Sequence, residues 1–410
     1  MSAALTVDQI RAQFPALERT HAGHKVAYFD GPGGTQVPLA VADAIRDYLL
    51  HHNANTHWAY PTSVETDAML LEARRTYAAF FGGAENEVVF GNNMTTITFH
   101  VARALARGWN AGDEIIVTEL DHHANLAPWQ AVAKERGLVL KMLPLDVETW
   151  QLRLDLLPGL LTERTRLLAI GAASNALGTI SDVAAATKLA KNAGALVYVD
   201  GVHYSPHHLP DPKSIGADFY ACSSYKFYGP HVGVLWGRHP VLSTIDVPKL
   251  EPAPDTAPER FETGTQNHEG IVGAAAAVQW IASLGGGEGN LRSRLVRSYD
   301  LLHRRERDLF QQLWDGLGDV PGVKRLGPPP GTPRTATIAF TVAGKSSEEI
   351  ARGLVDHGCF VSNGDFYATT VARRLGLEVE GMVRIGAACY TTSEEVARVV
   401  AGVAALSRRS

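Results

Sequence analysis

Cysteine is scarce in this chain: Cys222, Cys359 and Cys389 are the only three in 410 residues. Three are too few for a disulfide framework, and no two share a CxxC spacing, which argues against a structural zinc site. Long apolar runs are also missing. The longest, around Gly273 to Leu284, contains Gln279 and is too short to span a bilayer. The N-terminus has no basic stretch followed by an apolar one. Thr6-Val7-Asp8-Gln9 reads instead as a capping box opening a short helix. Charge of one sign is not in excess, with 38 Lys and Arg against 43 Asp and Glu and a net charge of −5. That balance gives no pull toward nucleic acid or an anionic membrane. There is no internal repeat and no low-complexity tract. These absences point to a cytoplasmic protein of a reducing compartment, and most simply to an enzyme.

What is present is enough for a large core. The apolar fraction is 45%, unlike a disordered chain. Between Val88 and Gly237 short apolar runs alternate with helical patterns. The runs are 88–90, 114–118, 138–142, 166–170, 195–199, 218–221 and 232–236, with helices such as 96–106 and 181–193 between them. This is the rhythm of a mostly parallel α/β sheet. Past Leu284 the pattern changes. Gly285-Gly286-Gly287 marks a loop, and a long helix follows with Leu291, Leu295, Leu302, Leu309 and Leu313 on one stripe. Strands are expected at 335–342, 359–362 and 382–386. Helices are expected after the capping residues Ser346 and Thr392. The expected division is an N-terminal segment, 1–27, packing with the small domain; a large cofactor domain, 28–284; and a small α+β domain, 285–410. A cleft between the two domains is the expected site.

The densest chemistry follows two predicted strands. Val199 leads into Asp200-Gly201-Val202-His203, and Ser223-Ser224-Tyr225-Lys226 follows 218–221. In open α/β sheets, ligands bind beyond the carboxyl ends of strands. A carboxylate there with a lysine on a later loop is what pyridoxal phosphate (PLP) requires: an amine for the Schiff base and an acid for the pyridinium nitrogen. Taken singly, a strand-terminal Asp is more often a helix cap, and a lone Lys a solvated charge.

Nearly the whole chain from Tyr28 resembles the class V aminotransferase family of fold type I PLP enzymes, close to the cysteine desulfurases and selenocysteine lyases. The resemblance rests on Tyr28 to Thr35, Asp121 to Asn125 with Pro128-Trp129, Ser174 to Thr179, Asp200 to His203 and Ser223 to Pro230. It implies Lys226 as the Schiff-base lysine and proton shuttle, Asp200 as the pyridinium partner and His122 as the ring-stacking residue. Metal ligation by His122-His123 is not expected, because neighbours on a strand face opposite ways. Asn175 matches the contact near the phenolic oxygen. His203 stands where desulfurases carry a glutamine. The phosphate should meet Met94, Thr95 and Ser223, beside a helix N-terminus. Tyr225 replaces a histidine common in desulfurases. Thr265, after Gly264, matches a residue that reaches the phosphate from a partner subunit, which implies a homodimer with shared active sites. The segment Asn55 to Trp58, with His57, resembles another partner-supplied loop. Arg384 matches the clamp on the substrate carboxylate, for which a bidentate guanidinium is suited. Specificity is expected at Asp365, Phe366, Tyr367, His57, Trp58 and Tyr60.

One motif breaks the pattern. Desulfurases carry a nucleophilic cysteine on a loop before the clamp arginine, but here that loop reads Asn363-Gly364-Asp365-Phe366-Tyr367-Ala368. The leading expectation is therefore a lyase acting on a small amino acid by Cα deprotonation and β-elimination. The alternatives are an aminotransferase or epimerase using the same chemistry, a desulfurase with a non-standard sulfur acceptor, and a PLP-binding protein without catalysis.

Overall fold

The computed structural model describes residues 3–408. Its main sheet has seven strands: β1 (Val88–Gly91), β2 (Glu114–Thr118), β3 (Val139–Leu143), β4 (Thr165–Gly171), β5 (Leu196–Asp200), β6 (Phe219–Ser223) and β7 (Gly233–Gly237). Each overlies a run predicted from the sequence. The spatial order is β1-β7-β6-β5-β4-β2-β3. Every neighbouring pair is parallel except those made by β7, which is antiparallel to both β6 and β1. The connection from Ser223 to Gly233 explains the exception. A parallel return needs a crossover of about a dozen residues or more, and this link is shorter.

Both faces of the sheet are buried. Val197 and Val199 of β5 pack into one apolar cluster, while Tyr198 packs into the other. Leu168 and Ile170 of β4 likewise separate from Leu167 and Ala169. This is the two-sided burial that continuous apolar strands signal. It leaves only the strand ends open to ligands. Helix α1 (Met94–Ala106) starts two residues before its expected position because the Asn93 side chain accepts the Thr96 N–H at 2.9 Å.

A second sheet has four antiparallel strands, in the order β8-β9-β11-β10: β8 (Val323–Leu326), β9 (Thr337–Val342), β10 (Ser362–Gly364) and β11 (Met382–Gly386). The strand expected at 359–362 is in fact two. Cys359–Phe360 pairs in parallel with Ala27–Tyr28, whereas Ser362–Gly364 pairs with β11. Strand β8 was not expected. Its sequence, Val-Lys-Arg-Leu, sets two charges between two apolar residues and so lacks the period-two alternation of a strand. Thr6 and Ser346 close the expected capping boxes, and Thr392, expected as a cap, closes one as well.

The long helix α2 (Leu291–Gly318) joins the two sheets. Leu295 and Leu302 pack into the main core, and Leu309, Leu313 and Leu317 into the core of the small sheet. The N-terminal segment is pinned through Phe14, whose ring packs edge-on against Trp280 at 5.2 Å and Tyr390 at 5.0 Å. No helix among the described residues is long and apolar enough to cross a membrane.

Candidate active site

Strand β6 runs out into a one-turn 3₁₀ helix, Ser224–Lys226. Ser224 Oγ lies within hydrogen-bond distance of the carbonyls of Pro230 (2.7 Å) and Val232 (3.0 Å). This ties the loop back on itself and turns Lys226 into the crevice beyond the sheet. Its Nζ donates to the carbonyls of Pro32 (2.6 Å) and Gly33 (3.1 Å). The Tyr28–Thr35 motif thus supplies the lysine's seat. Burial lowers the Lys226 pKa to about 7, and the Arg384 charge acts in the same direction.

Asp200 ends β5, buried, with Oδ1 accepting the Val202 N–H at 2.9 Å. Burial raises its pKa to about 6, against the pull of that hydrogen bond and of Lys226. Behind it lies Asp121, which had no predicted role. Burial and the neighbouring Asp200 push Asp121 up to about 8. It accepts from the Thr118 hydroxyl (2.9 Å) and from Asn125 Nδ2 (3.2 Å), and Asn125 Oδ1 accepts the Trp129 indole N–H at 3.2 Å. This buried network ties the Asp121–Trp129 motif together and fixes the loop that carries His122.

His122 is not on a strand. It caps a single 3₁₀ turn, His123–Asn125, and its Nδ1 accepts the Ala124 N–H at 3.0 Å. Burial, then the charges of Lys226 and Arg384, hold its pKa down at about 4. The ring is therefore neutral at physiological pH.

At the start of α1 the Met94 N–H donates to Ser223 Oγ at 3.0 Å, so it is already occupied. The Thr95 N–H and hydroxyl have no protein partner among the described residues. Because Ser223 accepts from Met94, its own O–H is left to donate outward. Asn175 Nδ2 donates to the Phe366 carbonyl at 2.8 Å, while its Oδ1 is buried without a partner. His203 Nε2 lies 3.1 Å from the hydroxyls of both Thr335 and Thr337, and its Nδ1 is also buried without a partner.

The structure gathers most of the expected residues around one cavity of about 580 Å³: Met94, Thr95, His122, Asn175, Asp200, His203, Ser223, Tyr225 and Lys226. His231 joins them unpredicted, stacked on Tyr225 with 4.8 Å between ring centres. A neighbouring cavity of about 970 Å³ shares His122, Asn175 and Lys226 and extends to Arg384 and Phe366. Arg384 lies buried in β11. It donates to the Asn175 carbonyl at 2.9 Å, and its guanidinium sits 4.0 Å over the Phe366 ring. Phe366 and Tyr367 both have φ of +56°, a conformation costing roughly 1–3 kcal/mol per non-glycine residue. Tyr367 is held by its N–H to Asp365 (3.0 Å) and by its carbonyl, which accepts the His123 N–H (2.7 Å).

Four expected residues lie elsewhere. His57 and Thr265 line a separate cavity of about 490 Å³, and Trp58 and Tyr60 are exposed and line neither cavity around Lys226. The three cysteines are all buried and unpaired, and none lines either of the cavities around Lys226. Burial raises the pKa of all three thiols, to about 11 for Cys359 and about 12 for Cys389.

Comparison with known proteins places this geometry. Residues 27–399 match the family described as aminotransferase class-V. A cysteine desulfurase of Dickeya dadantii is 32% identical over 418 residues, covering 98% of this chain and 97% of the relative. One from Klebsiella pneumoniae is 35% identical over 418 residues, covering 97% of each. The solved cysteine desulfurase of Escherichia coli superposes with a TM-score of 0.84 at 30% identity, over 98% of both chains. The apo cysteine desulfurase of Thermococcus onnurineus NA1 gives 0.88 at 28%, over 99% of both. This chain belongs to the aminotransferase class-V family of PLP-dependent enzymes and is cysteine desulfurase-like within it.

Proposed function

We propose that this enzyme removes the Cα proton from a small sulfur-containing amino acid and releases the sulfur from Cβ, using no thiol of its own. The observation carrying the reading is the placement of the cysteines: all three are buried, with raised thiol pKa values, and lie off the cavities. A thiol so placed is neither ionised nor reachable, so it is a poor sulfur acceptor.

The residues around the cavity fit PLP. The carboxyl of Asp200, the partnerless Asn175 Oδ1 and His203 Nδ1, and the free donors of Thr95 and Ser223 make a polar set that the protein leaves incomplete. Bound there, PLP supplies an electron sink for the pair left when the Cα proton departs.

The chain's own groups divide the remaining work. Lys226, held down by burial to a pKa of about 7, is poised to act as a base. Asp200 is the acid on the cofactor's nitrogen. His122 offers a neutral ring to the cavity. Arg384, whose Nε has no partner, holds the substrate carboxylate, with Asn175 beside it and Phe366 covering the guanidinium. The same base also serves transamination or epimerisation, and products separate the readings. Elimination from cysteine consumes water and yields pyruvate, ammonia and sulfide. Transamination yields a 2-oxo acid with its sulfur retained, and epimerisation yields the D-amino acid. A desulfurase with a separate acceptor yields alanine. Assaying all of these with L-cysteine, cystine and S-alkyl cysteines tests the proposal. A panel giving Cα exchange but neither sulfide nor pyruvate contradicts it.

The functional unit we propose is a homodimer in the cytoplasm. His57 and Thr265 act on the partner's site. Exposed Leu49, Leu50, Trp58, Tyr60 and Val64 supply an apolar surface of the kind that marks an interface, and three buried free thiols suit a reducing compartment.

A further inference from the structure

The main cavity contains a histidine whose hydrogen bonds run backward through the fold. His203 is buried and lines the cavity. Its Nε2 meets the hydroxyls of Thr335 and Thr337, the latter the first residue of β9. The Thr335 hydroxyl also lies 3.5 Å from the Gly178 carbonyl. The other ring nitrogen, Nδ1, is buried without a partner.

A second histidine lies behind the first. The His207 ring packs edge-on to His203 with 5.3 Å between centres. His207 Nδ1 is 2.8 Å from Glu306 Oε2, and both groups are buried. Glu306 sits on α2, which joins the two sheets. Lys226, Arg384 and His122 also face His203. Burial first, and then these neighbours, hold His203 well below its ordinary pKa, which keeps its ring neutral.

A buried hydrogen-bonded pair of this kind adds only modestly to stability by itself. Its position behind the cavity gives it a use. We propose that Glu306 and His207 are positioning residues that act through His203, fixing its ring at one edge of the cofactor cavity and coupling that edge to the small sheet. This rests on the PLP reading of the site.

The test uses the PLP-loaded protein and its visible absorbance titrated with pH, with no substrate present. Glu306→Gln is expected to move the titration midpoint by roughly half a unit or more. In a His203→Gln background the same substitution is expected to move it by less than a fifth as much, since groups acting as one unit are non-additive. Equal shifts in both backgrounds, or none in either, overturn the proposal. Should Glu306→Gln fail to fold, Thr335→Val with Thr337→Val probes the same linkage from the other side of His203. It too should shift the midpoint only while His203 is present, and a shift that persists in His203→Gln overturns the proposal. Failure of PLP to bind at all with both histidines intact contradicts the cofactor reading itself and is thereby distinguished.

Discussion

Two regions of the molecule carry residues expected to serve the same site, and they are built differently. Around Lys226 the groups are buried, their pKa values are displaced and their hydrogen bonds are partly unmade. Around His57 and Thr265 the side chains line a separate cavity of about 490 Å³, and the chain on either side of His57 exposes Leu49, Leu50, Trp58, Tyr60 and Val64. The first region is chemically poised within one chain. In the proposed dimer, the second would become useful only when a partner surface covers it. Displaced pKa values mark where chemistry happens, and uncovered apolar surface marks where the chain expects company.

The comparison can be broken in several places. The largest effect is expected at its centre: Lys226→Ala should abolish turnover, by about 10⁴-fold or more, and remove the visible absorbance band of the PLP-loaded protein. Arg384→Lys keeps the charge but loses the planar fork, so kcat/KM should fall roughly 100-fold while the absorbance without substrate stays as it was. In the second region, Leu50→Asp should give monomers by sedimentation and weaken PLP retention about tenfold, although Leu50 touches neither cavity around Lys226. A dimer that persists unchanged would erase the distinction between the regions.

A smaller effect concerns the cost of poising the lysine. Its folded pKa, about 7, lies below its ordinary 10.5. The apo fold therefore binds that proton more weakly than the unfolded chain does. The penalty is full below about pH 7 and fades as pH rises toward 10.5. Lys226→Met should accordingly raise the apo protein's Tm by a few degrees more at pH 6 than at pH 10. The smallest effect is expected from replacing Cys222, Cys359 and Cys389 together by Ala, which should leave kcat within about twofold.

The fold was legible where the chain's period is simple. The seven runs of the main sheet follow from continuous apolar strands, and the helix caps at Ser346 and Thr392 from residue type and spacing. Strand Val323–Leu326 was not legible, because four residues with two charges leave too short a pattern. The break between Phe360 and Ser362 was hidden for another reason. Both halves look like one strand, and only their partners, Ala27–Tyr28 and β11, separate them. The cavity residues could be named from motifs, but their state could not. Asp121 gains its raised pKa from burial beside Asp200, a tertiary effect that no spacing encodes. His122 reads as a strand residue until its Nδ1 is seen capping a 3₁₀ turn. His207 and Glu306 lie 99 positions apart, so their pairing leaves no local signal.

The central claim is elimination without a thiol of the enzyme's own. Its most direct test is a product balance on the PLP-loaded protein with L-cysteine, cystine and S-methyl cysteine, read together with the intact mass of the enzyme after turnover. The account predicts pyruvate and a released sulfur product in equal amounts from at least one of these substrates, with the protein's mass unchanged. Alanine as the product, with a sulfur adduct on Cys222, Cys359 or Cys389, would contradict it.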